Sequence, residues 1–149
     1  MKNQIISKSP QQTKKIAQNL AKNLKGGEIL GLVGDLGGGK TTFVQGLAQS
    51  LGIEERITSP TFIMLREYPI PHQPINQLSH QLHLIHIDLY RFKNSAEIQT
   101  LGLQDYLGRK ENICVIEWAE KIKDLLPKNT QWIEFDFVDQ NTRQIKFML

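Results

Sequence analysis

A chain of 149 residues is the size of one compact domain and can bury a sizeable core. An apolar fraction of 40% and a charged fraction of 22% are ordinary for a globular protein, and no run approaches the roughly 20 apolar residues of a membrane-spanning helix. The net charge of +3, from 18 basic and 15 acidic residues, is far from a basic arm and on its own decides nothing about nucleic acid.

The opening MKNQIISKSPQQTKK lacks the apolar stretch and cleavage site of a secretory signal, and Cys114 has no second cysteine to pair with. A cytoplasmic location is therefore the default expectation. Ser9, Pro10 and Gln12 then spell a capping-box start with proline in the first turn. Ile16, Leu20 and Leu24 recur every fourth residue until Gly26-Gly27, predicting a first helix. EILGLVG is short and apolar and suits a buried strand, while TTFVQGLAQSLG carries Phe43, Leu47 and Leu51 at helical spacing.

FIMLREY and LHLIHIDLY read as strands on either side of PIPHQPINQLSHQ (69–81), a Pro/Gln/His-rich stretch expected to be a surface loop. AEIQTLGLQDYL reads as a broken helix, NICVIEW as a buried strand and EKIKDLL as a short helix halted by Pro127. QWIEFDFV and RQIKFML pair across DQNT as a hairpin. Strands alternating with helices predict one three-layered α/β domain over 1–149, its sheet mostly parallel with antiparallel C-terminal strands.

Gly34, Gly39, Lys40 and Thr41 match G-x-x-x-x-G-K-[ST] in full, between a predicted strand and a predicted helix. Absent side chains at Gly34, Gly37, Gly38 and Gly39 let successive backbone N–H groups of the loop, which also holds Asp35 and Leu36, turn towards phosphate oxygens, with the helix N-terminus behind them. Lys40 is expected on the β- and γ-phosphates and the Thr41 hydroxyl on a bridging Mg²⁺. A glycine-rich turn without a ligand has no need of lysine and threonine at these two spacings.

Asp88 ends LIHID as a Walker B carboxylate would, or else caps the next segment. Glu117 ends NICVIE in the same manner and is the candidate to hold the metal and orient or deprotonate an attacking water. A structural pairing of Glu117 with a nearby cation stays open. In ITSPTF (57–62), Ser59 or Thr61 could sense the γ-phosphate or its metal, as a switch loop does, or form a plain turn.

His80, His83 and His86 recur every third residue, which in a strand throws neighbours to opposite faces and argues against zinc. Asp105-x-x-Gly108 follows no strand, and no Asn-Lys-x-Asp sequence occurs, so adenine is favoured over guanine. Trp118 either covers the nucleotide or fills the core.

GDLGGGKTTF, SPTF, HIDLYRF, LGLQDYL and IEWAEKI, in this order and approximate spacing, resemble the TsaE family, also called YjeE, from about Ser9 to Pro127. The resemblance implies a small P-loop ATPase needed to make threonylcarbamoyladenosine in tRNA, with ATP and Mg²⁺ as its cofactors. It also implies docking on a TsaB–TsaD pair, which it would reset between turnovers while TsaD performs the transfer, so that tRNA is met indirectly. By position it places Lys40, Thr41 and Thr42 on the phosphates and Mg²⁺, Thr61 in the switch loop and Asp88 on the metal. Glu117 and Trp118 fall beside the γ-phosphate, and Thr13 near the base.

Two departures stand out. Gly38 replaces the family's usual alanine and is expected to loosen the loop slightly. The insert around PHQPINQLSHQ lengthens the connection ahead of Asp88 and puts any partner surface there in doubt. A small P-loop kinase and a nucleotide sensor without hydrolysis are the rival readings. No arginine finger is evident, so slow basal turnover and completion of the site by a partner are expected.

Overall fold

The computed structural model describes residues 2–59, 64–71 and 81–148. Among the described residues, seven strands form one sheet: β1 (Lys2–Ser7), β2 (Ile29–Gly34), β3 (Leu65–Pro69), β4 (His83–Asp88), β5 (Asn112–Glu117), β6 (Gln131–Phe137) and β7 (Arg143–Met148). Their order is β1-β7-β6-β2-β5-β4-β3. The four central strands, β6-β2-β5-β4, run parallel. Both edges are antiparallel: β7 on β6, β1 on β7 and β3 on β4.

The expectation of a mostly parallel sheet is thus correct for the centre and the C-terminal hairpin, and is corrected at the other edges. β1 is absent from the sequence reading because KNQIIS shows no buried alternation; Ile5 and Ile6 are both more than 40% exposed. Only pairing with β7 makes it a strand. The 69–81 segment is likewise shorter as a loop than expected, since Pro69 ends β3 and buried Ile70 donates its N–H to the Leu82 carbonyl at 2.8 Å. Phe62 and Ile63, and residues 72–80 of the insert, lie outside the described residues.

Helix α1 (Pro10–Ala21) starts as a capping box: the Gln12 N–H donates to Ser9 Oγ at 3.1 Å and the Lys8 N–H to Gln12 Oε1 at 2.7 Å. Its buried stripe is Thr13, Ala17 and Ala21, while Ile16 and Leu20 pack at its margin. The reason lies in α2 (Lys40–Ser50), which presents Gly46 to α1 so closely that only small residues fit between the two helices.

Period-two alternation splits the sheet into two faces. Leu30, Leu32, Leu84, Ile113, Val115, Ile133 and Phe135 pack beneath α1 and α2, with Phe43 edge-on to Phe135 at 5.3 Å. Ile29, Ile85, Ile87, Cys114 and Ile116 pack against α3 (Ser95–Gln99) and the 3₁₀ segments Leu103–Asp105 and Ala119–Leu125. Helical layers on both faces make the architecture three-layered.

The expected break in AEIQTLGLQDYL falls at Gly102, whose φ of +74° is left-handed backbone that glycine tolerates. The segment expected as a short helix before Pro127 is 3₁₀ rather than α, and is kinked at Ile122.

Candidate functional site

β2 ends at Gly34, where φ is +145° and an added Cβ would run into the Phe135 carbonyl of neighbouring β6. Glycine is required there by both conformation and space. Gly39 caps α2 in left-handed backbone and leaves its first turn without a side-chain cap. The turn's N–H groups and the positive end of the helix dipole are therefore available to an anion.

The cavity at this loop has a volume of about 560 Å³, within the range of small-molecule sites. Leu36 to Thr42, Ser59, Asp88, Glu117 and Trp118 line it, so most of the predicted site residues converge on one space. That space lies beyond the carboxyl ends of β2, β4 and β5, where a parallel sheet places its ligands.

Lys40 is buried, and its Nζ donates to the Gly34 carbonyl and to the Asp35 carbonyl at 2.9 Å. The same Nζ stands 4.2 Å from the centre of the Trp118 ring, a cation–π distance. Burial lowers the Lys40 pKa from the usual lysine value, opposed by the nearby charges of Glu117, Glu120, Asp88 and Asp35.

On β4, Leu84, His86 and Asp88 share the face that α2 covers, as do Ile113, Val115 and Glu117 on β5. Asp88 and Glu117 are register partners, which sets the two strand-end carboxylates side by side. Thr41 Oγ1 donates to Glu117 Oε1 at 2.8 Å, and His86 Nε2 lies 2.6 Å from Glu117 Oε2. Ser59 Oγ donates to Asp88 Oδ2, and the Tyr90 N–H donates to Asp88 Oδ1 at 2.9 Å. Asp88 therefore caps the next turn as well as facing the cavity. A hydroxyl and two carboxylates are hard oxygen donors of the kind Mg²⁺ takes alongside substrate phosphates.

Not every expected residue converges. Thr13 is buried with its hydroxyl 2.7 Å from Ser7 Oγ and does not line the cavity. Asp35 contributes its backbone carbonyl while its side chain is exposed. Thr61 lies outside the described residues. Trp118 packs against the core, as one of its two readings expects, and its ring also lines the cavity and contacts Tyr90 at 5.2 Å. Its φ of +61°, uncommon for any residue but glycine, aims the ring there.

Four further residues were given no functional role by the sequence reading, Arg91 among them although it belongs to the matched DLYR motif. Arg143 and Arg91 both line the cavity. Arg143 Nε donates to the Gly37 carbonyl at 2.9 Å and Nη1 to the Asp139 carbonyl at 2.6 Å, bracing the glycine-rich loop from β7. Lys121 Nζ donates to the carbonyls of Leu89, Tyr90 and Phe92 at 3.0, 2.6 and 2.6 Å, pinning the turn after Asp88. His86, read only as part of a histidine series, sits on Glu117, while His83 on the opposite face lies 3.5 Å from Glu67. Lys121 lies inside the IEWAEKI match and His86 and Arg91 inside the HIDLYRF match, whereas Arg143 falls outside every matched segment.

A family model described as "Threonylcarbamoyl adenosine biosynthesis protein TsaE" matches residues 7–145. Three relatives share the name "tRNA threonylcarbamoyladenosine biosynthesis protein TsaE". The Bacillus subtilis protein is 37% identical, over 93% of this chain and 80% of its own. The Treponema pallidum protein is 35% identical over 94% and 96%, and the Rickettsia bellii protein 38% identical over 96% and 92%. The crystal structure of Bacillus subtilis YdiB superposes with a TM-score of 0.76 at 32% identity, over 99% of this chain and 84% of that one.

Proposed function

The chain belongs to the TsaE family of threonylcarbamoyl adenosine biosynthesis proteins, and from that premise we propose that it serves this tRNA modification as a Mg²⁺-dependent ATPase. One observation carries the reading: the phosphate loop with Lys40 and Thr41 shares a single cavity with the paired strand-end carboxylates Asp88 and Glu117.

In this reading the loop N–H groups and Lys40 bind the β- and γ-phosphates, and Thr41, Asp88 and Glu117 would hold Mg²⁺. Bound there, the ion would neutralise charge on the phosphoryl oxygens. A water oxygen bonds to the γ-phosphorus as the bond to the β–γ bridging oxygen breaks, giving ADP and phosphate. Each Glu117 oxygen accepts one hydrogen bond and keeps a further lone pair for that water or its proton. Trp118 and Arg143 form the cavity wall and brace the loop.

Arg143 spends its Nε and Nη1 on carbonyls, and a docked partner is proposed to supply the arginine contact worth about a thousandfold or more in related enzymes. Slow turnover alone, raised by docking on TsaB–TsaD, is the consequence, with tRNA met indirectly. No helix among the described residues is long and apolar enough to cross a membrane, and the cytoplasm is the proposed location.

Phosphate release from Mg-ATP tests this, by the chain alone and with TsaB–TsaD, with Lys40→Ala and Glu117→Ala as controls. Partner-stimulated release lost in both variants is expected. Tight binding without turnover under every condition would replace the ATPase by a nucleotide sensor.

A further inference from the structure

We propose that His86, with its proton on Nε2, is a positioning residue that fixes the Glu117 carboxylate against Thr41; its kinetic consequence rests on the ATPase reading above. His86 is fully buried beneath α2, and Nε2 stands 2.6 Å from Glu117 Oε2. The opposite carboxylate oxygen takes the Thr41 hydroxyl at 2.8 Å. His86 Nδ1, in contrast, is a buried polar atom without a partner among the described residues.

That orphan nitrogen assigns the tautomer. A carboxylate oxygen accepts, so the proton of this bond belongs to Nε2. A proton on Nδ1 would be a buried donor with no acceptor, which costs more than a bare lone pair in the same place. An aliphatic residue among Leu84, Ile113 and Val115 would have filled the core without burying any polar atom. The chain instead buries an imidazole that has a single partner among the described residues, and that partner is the carboxylate of the site.

The result is a continuous link from β4 through β5 to the first turn of α2: His86, Glu117, Thr41. The terminal torsion of a glutamate is soft, and here each oxygen is held by a different element. With its hydroxyl proton committed to Glu117, Thr41 keeps its oxygen lone pairs for a cation. Removal of the imidazole frees the carboxylate to turn and takes this orientation away from Thr41. Loop N–H groups and Lys40 are untouched by the change, so turnover suffers more than nucleotide affinity does.

The test compares His86→Leu, which removes the donor, with His86→Gln, whose amide nitrogen reaches a position similar to Nε2. His86→Leu is expected to lower kcat about ten- to a hundredfold, the range for a lost hydrogen bond to a charged group, with KM for Mg-ATP changed less than about threefold. His86→Gln should recover most of the loss. Nitrogen NMR of the wild-type imidazole should show Nε2 protonated and Nδ1 bare, and this readout needs neither turnover nor a variant that folds.

A protonated Nδ1 overturns the proposal, and so does a Gln variant as impaired as the Leu variant. Should the wild type show no turnover, the ATPase reading fails by itself. The imidazole tautomer then decides alone: Nε2 protonated and Nδ1 bare supports the link, and a protonated Nδ1 refutes it.

Discussion

Gly46→Ala sets two effects of known sign against each other. In the interior of an exposed helix alanine is favoured over glycine by about 1 kcal/mol, so propensity alone predicts a more stable protein. The tertiary structure opposes it. A Cβ at Gly46 would stand 2.6 Å from the Lys14 carbonyl oxygen, 2.7 Å from Lys14 Cα and 2.9 Å from Ala17 Cβ. Ordinary contact begins at 3.4 Å, and two of the three obstructing atoms are α1 backbone, which no rotamer change can move. The helices must therefore part at their closest point. Overpacking of this kind costs about 1–3 kcal/mol, and backbone obstruction places Gly46 at the upper end. The net loss is about 1–2 kcal/mol, a fall in Tm of roughly 2–8 °C for a domain of this size. Urea unfolding followed by circular dichroism measures it as a lower midpoint at unchanged slope. Because α2 carries Lys40 and Thr41 in its first turn, nucleotide affinity should weaken in the same variant. A midpoint equal to or above wild type would refute the close approach of α1 and α2.

Gly38→Ala, which restores the family's usual residue, meets the Asp35 carbonyl at 3.0 Å and Phe135 Cβ at 3.3 Å without left-handed backbone. Stability within about 0.5 kcal/mol of wild type and intact ATP binding are expected, because the reduced entropy of the unfolded chain offsets the tight contacts. Gly34→Ala should abolish binding, and equal damage at both positions in a calorimetric titration would count against the loop geometry. Lys121→Met should raise the Kd for ATP several-fold by releasing the turn at Leu89–Phe92, with part of the affinity recovered in Lys121→Arg; tryptophan fluorescence of Trp118 reads the binding, and an unchanged Kd would show that the turn holds without the ammonium. Burial pushes the Cys114 thiol up to about 12 from 9.0. Its contribution to stability is therefore complete below pH 9 and is lost as pH rises from there through about 12. Unfolding midpoints of wild type and Cys114→Ala should converge over that window, and in the native state a thiol reagent should label Cys114 only as fast as the protein opens.

Features written within a few consecutive residues were legible in the sequence. Ser9 to Gln12 specify a helix start through bonds that span three and four residues, Gly34 to Thr41 specify a glycine-rich strand-to-helix loop, and Gly102 breaks a helix, whatever surrounds them. The ends of apolar runs likewise located Asp88 and Glu117, because parallel strands end at a common edge. Tertiary structure alone decided what depends on neighbours distant in the chain. KNQIIS becomes a strand because β7 offers it an edge, and the small residues of α1 turn inward because Gly46 lets the helices close. Arg143 reaches the glycine-rich loop because β6 lies beside β2 and β7 beside β6. The sequence by itself named a lysine, a threonine and two carboxylates; only the register of β4 against β5 placed His86 behind Glu117. Periodicity and capping act along the chain, whereas the partner of a buried carboxylate is set by which strands become adjacent, a long-range choice that no local pattern contains.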